Sequence, residues 1–165
     1  MGYKTYTCPH AARCGGCEWL SVPYPIQLSR KRTMLEELFT PLGCGVDAML
    51  GMDEPLAYRH KIMSPFAPGK QGKPRFGMYE RGTHELVEMR DCLVEHKAGR
   101  PILNSIAELA QGFHIPAYDE NTGKGLLRHA IVRVGRSTGQ VMVTLVVNRK
   151  EFPRKKAFVA ALRKR

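Results

Sequence analysis

Residues 125–147 read GLLRHAIVRVGRSTGQVMVTLVV, and this stretch decides the fold. Two runs rich in β-branched residues flank a Gly-Arg-Ser-Thr-Gly turn, which is the pattern of a β-hairpin. The second run, VMVTLVV, is apolar enough to be expected as a buried strand. Upstream, YRHKIMSPF (58–66) and PRFGMYERGTHELVEM (74–89) read as short strands broken by Gly and Pro turns. Helical spacing returns in PILNSIAELAQGF (101–113), where Ile102, Leu103, Ile106, Leu109 and Ala110 form one stripe. Gly112 stands where a C-terminal cap belongs, and Pro116 follows. PIQLSRKRTMLEELFT (25–40) is an expected amphipathic helix with Leu28, Leu35, Leu38 and Phe39 on its apolar side; its RKR run reads as a solvated face. A basic helix begins near Arg154. These elements give an α+β fold, a small and mostly antiparallel β-sheet with two or three flanking helices.

The chain has 165 residues, 43% of them apolar, which is a globular composition long enough to bury a core. No apolar run approaches the roughly 20 residues of a membrane helix, and no hydrophobic signal segment follows Met1, so a cytoplasmic protein without membrane contact is expected. Cytosolic thiols are kept reduced, and the five cysteines, an odd number, cannot all pair within one chain; disulfides are the weakest reading of them. Net charge is +11, which suits a polyanionic partner. The charge is segregated: residues 55–79 and 121–150 carry Lys and Arg with no acid, while acids gather at 53–54 and 80–95.

The thiols are Cys8-x5-Cys14-x2-Cys17, then Cys92 in MRDCLVEH, and residues 1–18 around the first three have no periodicity of their own. Structural zinc draws on two close ligand pairs, and only Cys14 and Cys17 make one; His10 could complete a zinc site. Three clustered cysteines and one remote cysteine is a common wiring for iron–sulfur sites, and Gly15–Gly16 would let the backbone fold closely round an inorganic core. Cluster, zinc and unliganded thiols all stay open on spacing alone. Cys44 has no partner pattern and reads as a small packing residue.

An ordered set of segments carries a resemblance. The stretch from Cys8 through CGGCEWLSVPYPIQLSRKRTMLEELF, with Tyr24, Gln27 and Lys31 on the helix, resembles the iron–sulfur segment of the RNA (uracil-5-)-methyltransferase family. YRHK (58–61) resembles that family's Tyr-Arg-Asn-Lys, with His60 in place of Asn; FGMYERGTHELVEMRDC (76–92) and LRHAIVRVGRSTGQVMVTLV (127–146) resemble two further segments. The resemblance implies a [4Fe–4S] cluster on Cys8, Cys14, Cys17 and Cys92. It implies an iron–sulfur loop over residues 1–24, a central α+β RNA-binding domain over 25–150 that adds the fourth cluster ligand, and a basic helix at 151–165 leading toward a methyltransferase domain.

That methyltransferase domain, a doubly wound (Rossmann-like) unit with S-adenosylmethionine and a catalytic cysteine, has no counterpart in this sequence. The expected function is therefore RNA recognition and cluster binding within an enzyme that makes 5-methyluridine in rRNA or tRNA, with no catalysis by this chain alone. A stand-alone iron–sulfur electron carrier and a zinc-binding RNA module are the alternatives. RNA, bound by a monomer, is the expected partner. Arg59, Lys61, Lys73, Arg75, Arg128 and Arg133 are expected to line one face gripping its backbone, with His129 beside them.

Overall fold

A computed structural model describes residues 4–165. The element order is α1 (Tyr24–Phe39), β1 (Lys61–Ala67), β2 (Arg75–Tyr79), β3 (Leu86–Glu88), α2 (Gly99–Gly112), β4 (Leu127–Val134), β5 (Val141–Val147) and α3 (Lys155–Leu162). The five strands form one antiparallel sheet in the order β3-β2-β1-β4-β5. Local turns make three of the four pairings, β1–β2, β2–β3 and β4–β5. The fourth is long-range: Lys61 to Pro65 pair with Arg133 to His129, and α2 lies in the connection between them.

Alternation along the strands gives the sheet two unlike faces. Ile62, Phe66, Ala130, Val132 and Val134 point inward with Leu103, Ile106 and Ala110 of α2 to form the core. Phe158 of α3 is fully buried in that core, edge-on to both Phe113 and Phe152. The one hydroxyl on the buried face, Ser64 Oγ, is satisfied by donating to the Gly77 carbonyl at 2.7 Å. On the other face Lys61, Met63, Arg133 and Met142 stand exposed.

Three expectations change. β5 is an edge strand, and its Val141 and Met142 are 44% and 53% exposed rather than buried, because no element covers its outer side. α1 forms as expected but has no buried residue; Leu38 and Phe39 face solvent, since the helix packs on no part of the sheet core. Cys44 is exposed in the loop after α1 and is not a packing residue. Among the described residues no helix is long and apolar enough to cross a membrane.

The β2–β3 turn leads to Cys92 through a close approach. A Cβ on Gly77 would stand 1.9 Å from the Val87 carbonyl oxygen, so β2 and β3 pair only with glycine there. Gly77→Ala is expected to cost about 3 kcal/mol or more, by overpacking against backbone that has no rotamer to move. In a chain of this size that lowers Tm by about 6–12 °C in a thermal melt. An unchanged Tm would contradict the register given for β3.

Candidate functional site

Residues 8–17 make no regular element, and the loop takes its shape from tight turns and from the end of β2. The Cys14 amide donates to the His10 carbonyl at 2.8 Å and the Ala11 amide to that of Cys8 at 3.1 Å. Cys14 forms an isolated antiparallel bridge with Glu80, and the Gly15 amide donates to the Tyr79 carbonyl at 3.3 Å. Arg13 adds an ion pair to Glu80 at 2.7 Å. The Gly-Gly pair is used for proximity: a Cβ on Gly16 would lie 3.3 Å from Cys14 Sγ, and one on Gly15 3.4 Å from the Arg81 backbone.

Cys92 reaches the same place by another route. Beyond β3 the chain runs beside the residues that precede β1: the Arg59 amide donates to the Val94 carbonyl at 2.7 Å, and the His96 amide to that of Arg59 at 3.0 Å. Cys8, Cys14, Cys17 and Cys92 thereby line one cavity of about 270 Å³. All four are free, half-buried thiols. Burial pushes the Cys17 and Cys92 thiols above their ordinary pKa; at Cys17 the Arg59 guanidinium opposes the rise while the other three thiols add to it.

Arg59, expected on an RNA-facing surface, turns into this cavity instead. Its Nη2 donates to the Gly16 carbonyl at 2.8 Å, so one residue ties the Cys-Gly-Gly-Cys turn to the segment that carries Cys92. His10 lines a separate hollow with Arg13, Arg75 and Glu88, away from the thiols. Among the described residues no three His, Cys, Asp or Glu side chains meet as the ligands of a single metal ion would. As a donor set, four thiols lining one cavity beside a cation have the chemistry to hold an iron–sulfur cluster.

The other cations expected on one face are parted by the sheet. Lys61 and Arg133 are direct cross-strand partners on the open face, both exposed. Like charges set opposite each other destabilise a ladder, and neither pairs with an acid among the described residues. His129, paired with Pro65, shares this face and lies edge-on to Tyr79, ring centroids 6.1 Å apart. Burial, then the nearby Arg128, holds the His129 imidazole below its ordinary pKa. Arg128 turns aside: it pairs with Glu120 at 2.8 Å and lies over the Tyr118 ring at 4.5 Å. Lys73 and Arg75 line a third place, beside the first turn of α2.

Sequence reading missed the buried Arg100–Glu95 pair, at 2.7 Å, and the His60–His96 contact, at 5.0 Å between rings. The Arg100–Glu95 pair leaves a sequence trace, opposite charges five apart at the start of α2; the His contact depends on long-range pairing and leaves none.

No family model matches the chain. It is 31% identical over 161 residues to an uncharacterized RNA methyltransferase of Halalkalibacterium halodurans, covering 95% of this chain and 35% of that protein. A second such protein of the same organism is 34% identical over 164 residues, covering 96% and 35%. One of Clostridium tetani is 33% identical over 159 residues, covering 94% and 34%. The chain thus spans about a third of the length of these relatives. In fold it resembles the crystal structure of the Pyrococcus abyssi tRNA (uracil-54, C5)-methyltransferase in complex with S-adenosyl-L-homocysteine. That likeness has a TM-score of 0.68 at 24% identity, over 92% of this chain and 36% of the other.

Arg59→Ala should release the thiol loop without unfolding the sheet. A hydrogen bond from a charged donor contributes about 1.5–3 kcal/mol, and amide exchange over residues 8–17 should show a fall in opening free energy of that order. Core amides of β1 and β4 should keep their protection. Unaltered exchange in the loop would show that Arg59 does not hold it.

Proposed function

The chain belongs to the RNA methyltransferase family, and on that premise we propose that it is the [4Fe–4S]-binding and RNA-recognition portion of an S-adenosylmethionine-dependent RNA (uracil-5-)-methyltransferase. One observation carries this reading: cysteines far apart in sequence line a single cavity. Cys8, Cys14, Cys17 and Cys92 would hold the cluster. When bound, it supplies covalent iron–thiolate links between a loop that has no core of its own and the strand end bearing Cys92, so that binding doubles as folding energy. Arg59 holds the Cys-Gly-Gly-Cys turn in reach of Cys92 and sets a positive charge beside the thiolates.

RNA recognition falls to the open face. Lys61 and Arg133 repel each other until an anion lies between them, and a phosphodiester does so. His129, four residues along the same ladder from the Lys61–Arg133 pair, and Tyr79 beside it offer ring edges and faces, and aromatic rings of this kind stack unpaired RNA bases. The choice of uridine C5 as target draws support from the Pyrococcus abyssi protein of like fold, which is a tRNA (uracil-54, C5)-methyltransferase. The S-adenosyl-L-homocysteine bound to that protein is the spent form of S-adenosylmethionine and supports the methyl donor. Methyl transfer itself is assigned to the part of the relatives that this chain does not match. An electron-carrier role has no use for unpaired cations on an open sheet.

Two measurements test the proposal. After anaerobic reconstitution with iron and sulfide, Cys92→Ser should lose the visible absorption of the cluster while Cys44→Ser keeps it; equal iron content and absorption in both would refute the ligand set. Filter binding of a uridine-containing stem–loop should be steeply salt-dependent. The Lys61→Ala/Arg133→Ala double variant should flatten the logarithmic salt slope by about 1.4, two lost single-strand phosphate contacts at about 0.7 each. An unchanged slope would remove RNA from this face.

A further inference from the structure

Beside the first turn of α2, the helix that covers the opposite face of the sheet, lies a second cavity of about 800 Å³. Its charged lining is Lys70, Lys73, Arg75, Arg90 and Arg100 against one acid, Glu88. The floor is rigid. Arg100 is 7% exposed, forks onto Glu95 at 2.7 and 2.8 Å, and donates from Nη1 to the Met89 carbonyl at 3.3 Å. Glu95 balances that charge, so the excess comes from the rim. Lys70, Arg75 and Arg90 pair with no acid among the described residues, and Lys73 stands 3.8 Å from Glu108. The first turn of α2 carries no acid, so the positive end of the helix dipole adds to the same field.

The walls between these cations are not polar. Pro74, Phe76, Met89 and Pro101 form them, and Asn104 supplies an amide. Cations alone would suit any anion; cations round an aromatic and two prolines suit an anion that carries a flat ring. The volume falls within the range of small-molecule sites, roughly 300–1,000 Å³. We propose that this cavity takes one nucleotide of the bound RNA, its phosphate held by Lys70 and Arg90 and its base laid against Phe76 and the prolines. The inference rests on the RNA reading above and extends it to a second face. Arg75 and Glu88 also line the hollow beneath Pro9 and His10, which gives the strand a path from this cavity past the outside of the thiol loop.

Filter binding of the full chain to the uridine-containing stem–loop separates the two claims. Lys70→Ala/Arg90→Ala should weaken binding and flatten the salt slope by about 1.4, independently of Lys61→Ala/Arg133→Ala. In parallel, photocrosslinking with 4-thiouridine RNA should label the peptides bearing Phe76 or Pro101. If the cavity pair binds like wild type and those peptides stay unlabelled while the sheet pair loses binding, the cavity proposal is overturned and the RNA reading stands. If neither pair changes binding, both fall. Equal loss of poly-aspartate and RNA binding in the cavity pair would make this an acidic-peptide site and overturn the assignment to a nucleotide.

Discussion

Strand β1 is hydrogen-bonded on both of its edges, and the position of the thiols depends on that. Toward β4 it is paired from Lys61 to Pro65; toward β2 it pairs at Phe66 and Ala67. Just before the strand, Arg59 and His60 continue the pattern outside the sheet, Arg59 bonding to Val94 and His96 while the His60 carbonyl accepts from the Val134 amide. The segment carrying Cys92 is thus referenced to the same ladder that orders the core. Through the Arg59 side chain, the Cys-Gly-Gly-Cys turn is referenced to it as well. A loop of low intrinsic order gains a defined place from the most rigid part of the molecule.

The helix α2 fixes the same segment from the other side. Arg100 and Glu95 bury an ion pair between the start of the helix and the residues after Cys92, with side chains 8% and 2% exposed. A pair of this kind adds little net stability over an apolar substitute, yet removing one partner leaves a buried charge and costs about 3–5 kcal/mol. Its effect here is on position: Arg100 ties both Glu95 and the Met89 carbonyl, on either side of Cys92, to the start of α2. Gly99 reinforces this, since a Cβ there would lie 2.2 Å from Ile62 Cδ1, so helix and strand meet at glycine distance.

Much of this was legible in the sequence where the signal is local. The 125–147 hairpin and the 101–113 helix carry their periodicity and their turn residues in adjacent positions, and both stand where the pattern puts them. The lack of periodicity over residues 1–18 marked a loop needing an outside brace, and the relatives bear out the family resemblance as far as RNA methyltransferase. What failed was long-range. VMVTLVV is apolar enough for a buried strand, but strand order puts it at an edge, where Val141 and Met142 stand exposed. The cations read as one face because runs without acids sit close in sequence. Register then sets Lys61 opposite Arg133, sends Arg59 to the thiols, Arg128 to Glu120, and Lys73 with Arg75 to the α2 cavity. No local pattern encodes which strand a residue will face.

Every role proposed for the loop rests on the proposal that its three thiols, with Cys92, hold an iron–sulfur cluster rather than a single ion. X-ray absorption at the iron edge, on the chain reconstituted anaerobically, tests it most directly. The predicted result is an all-sulfur first shell and a second shell of neighbouring irons in one species. A chain that refuses iron and instead takes one zinc, with sulfur at about 2.3 Å and no metal neighbour, would contradict it.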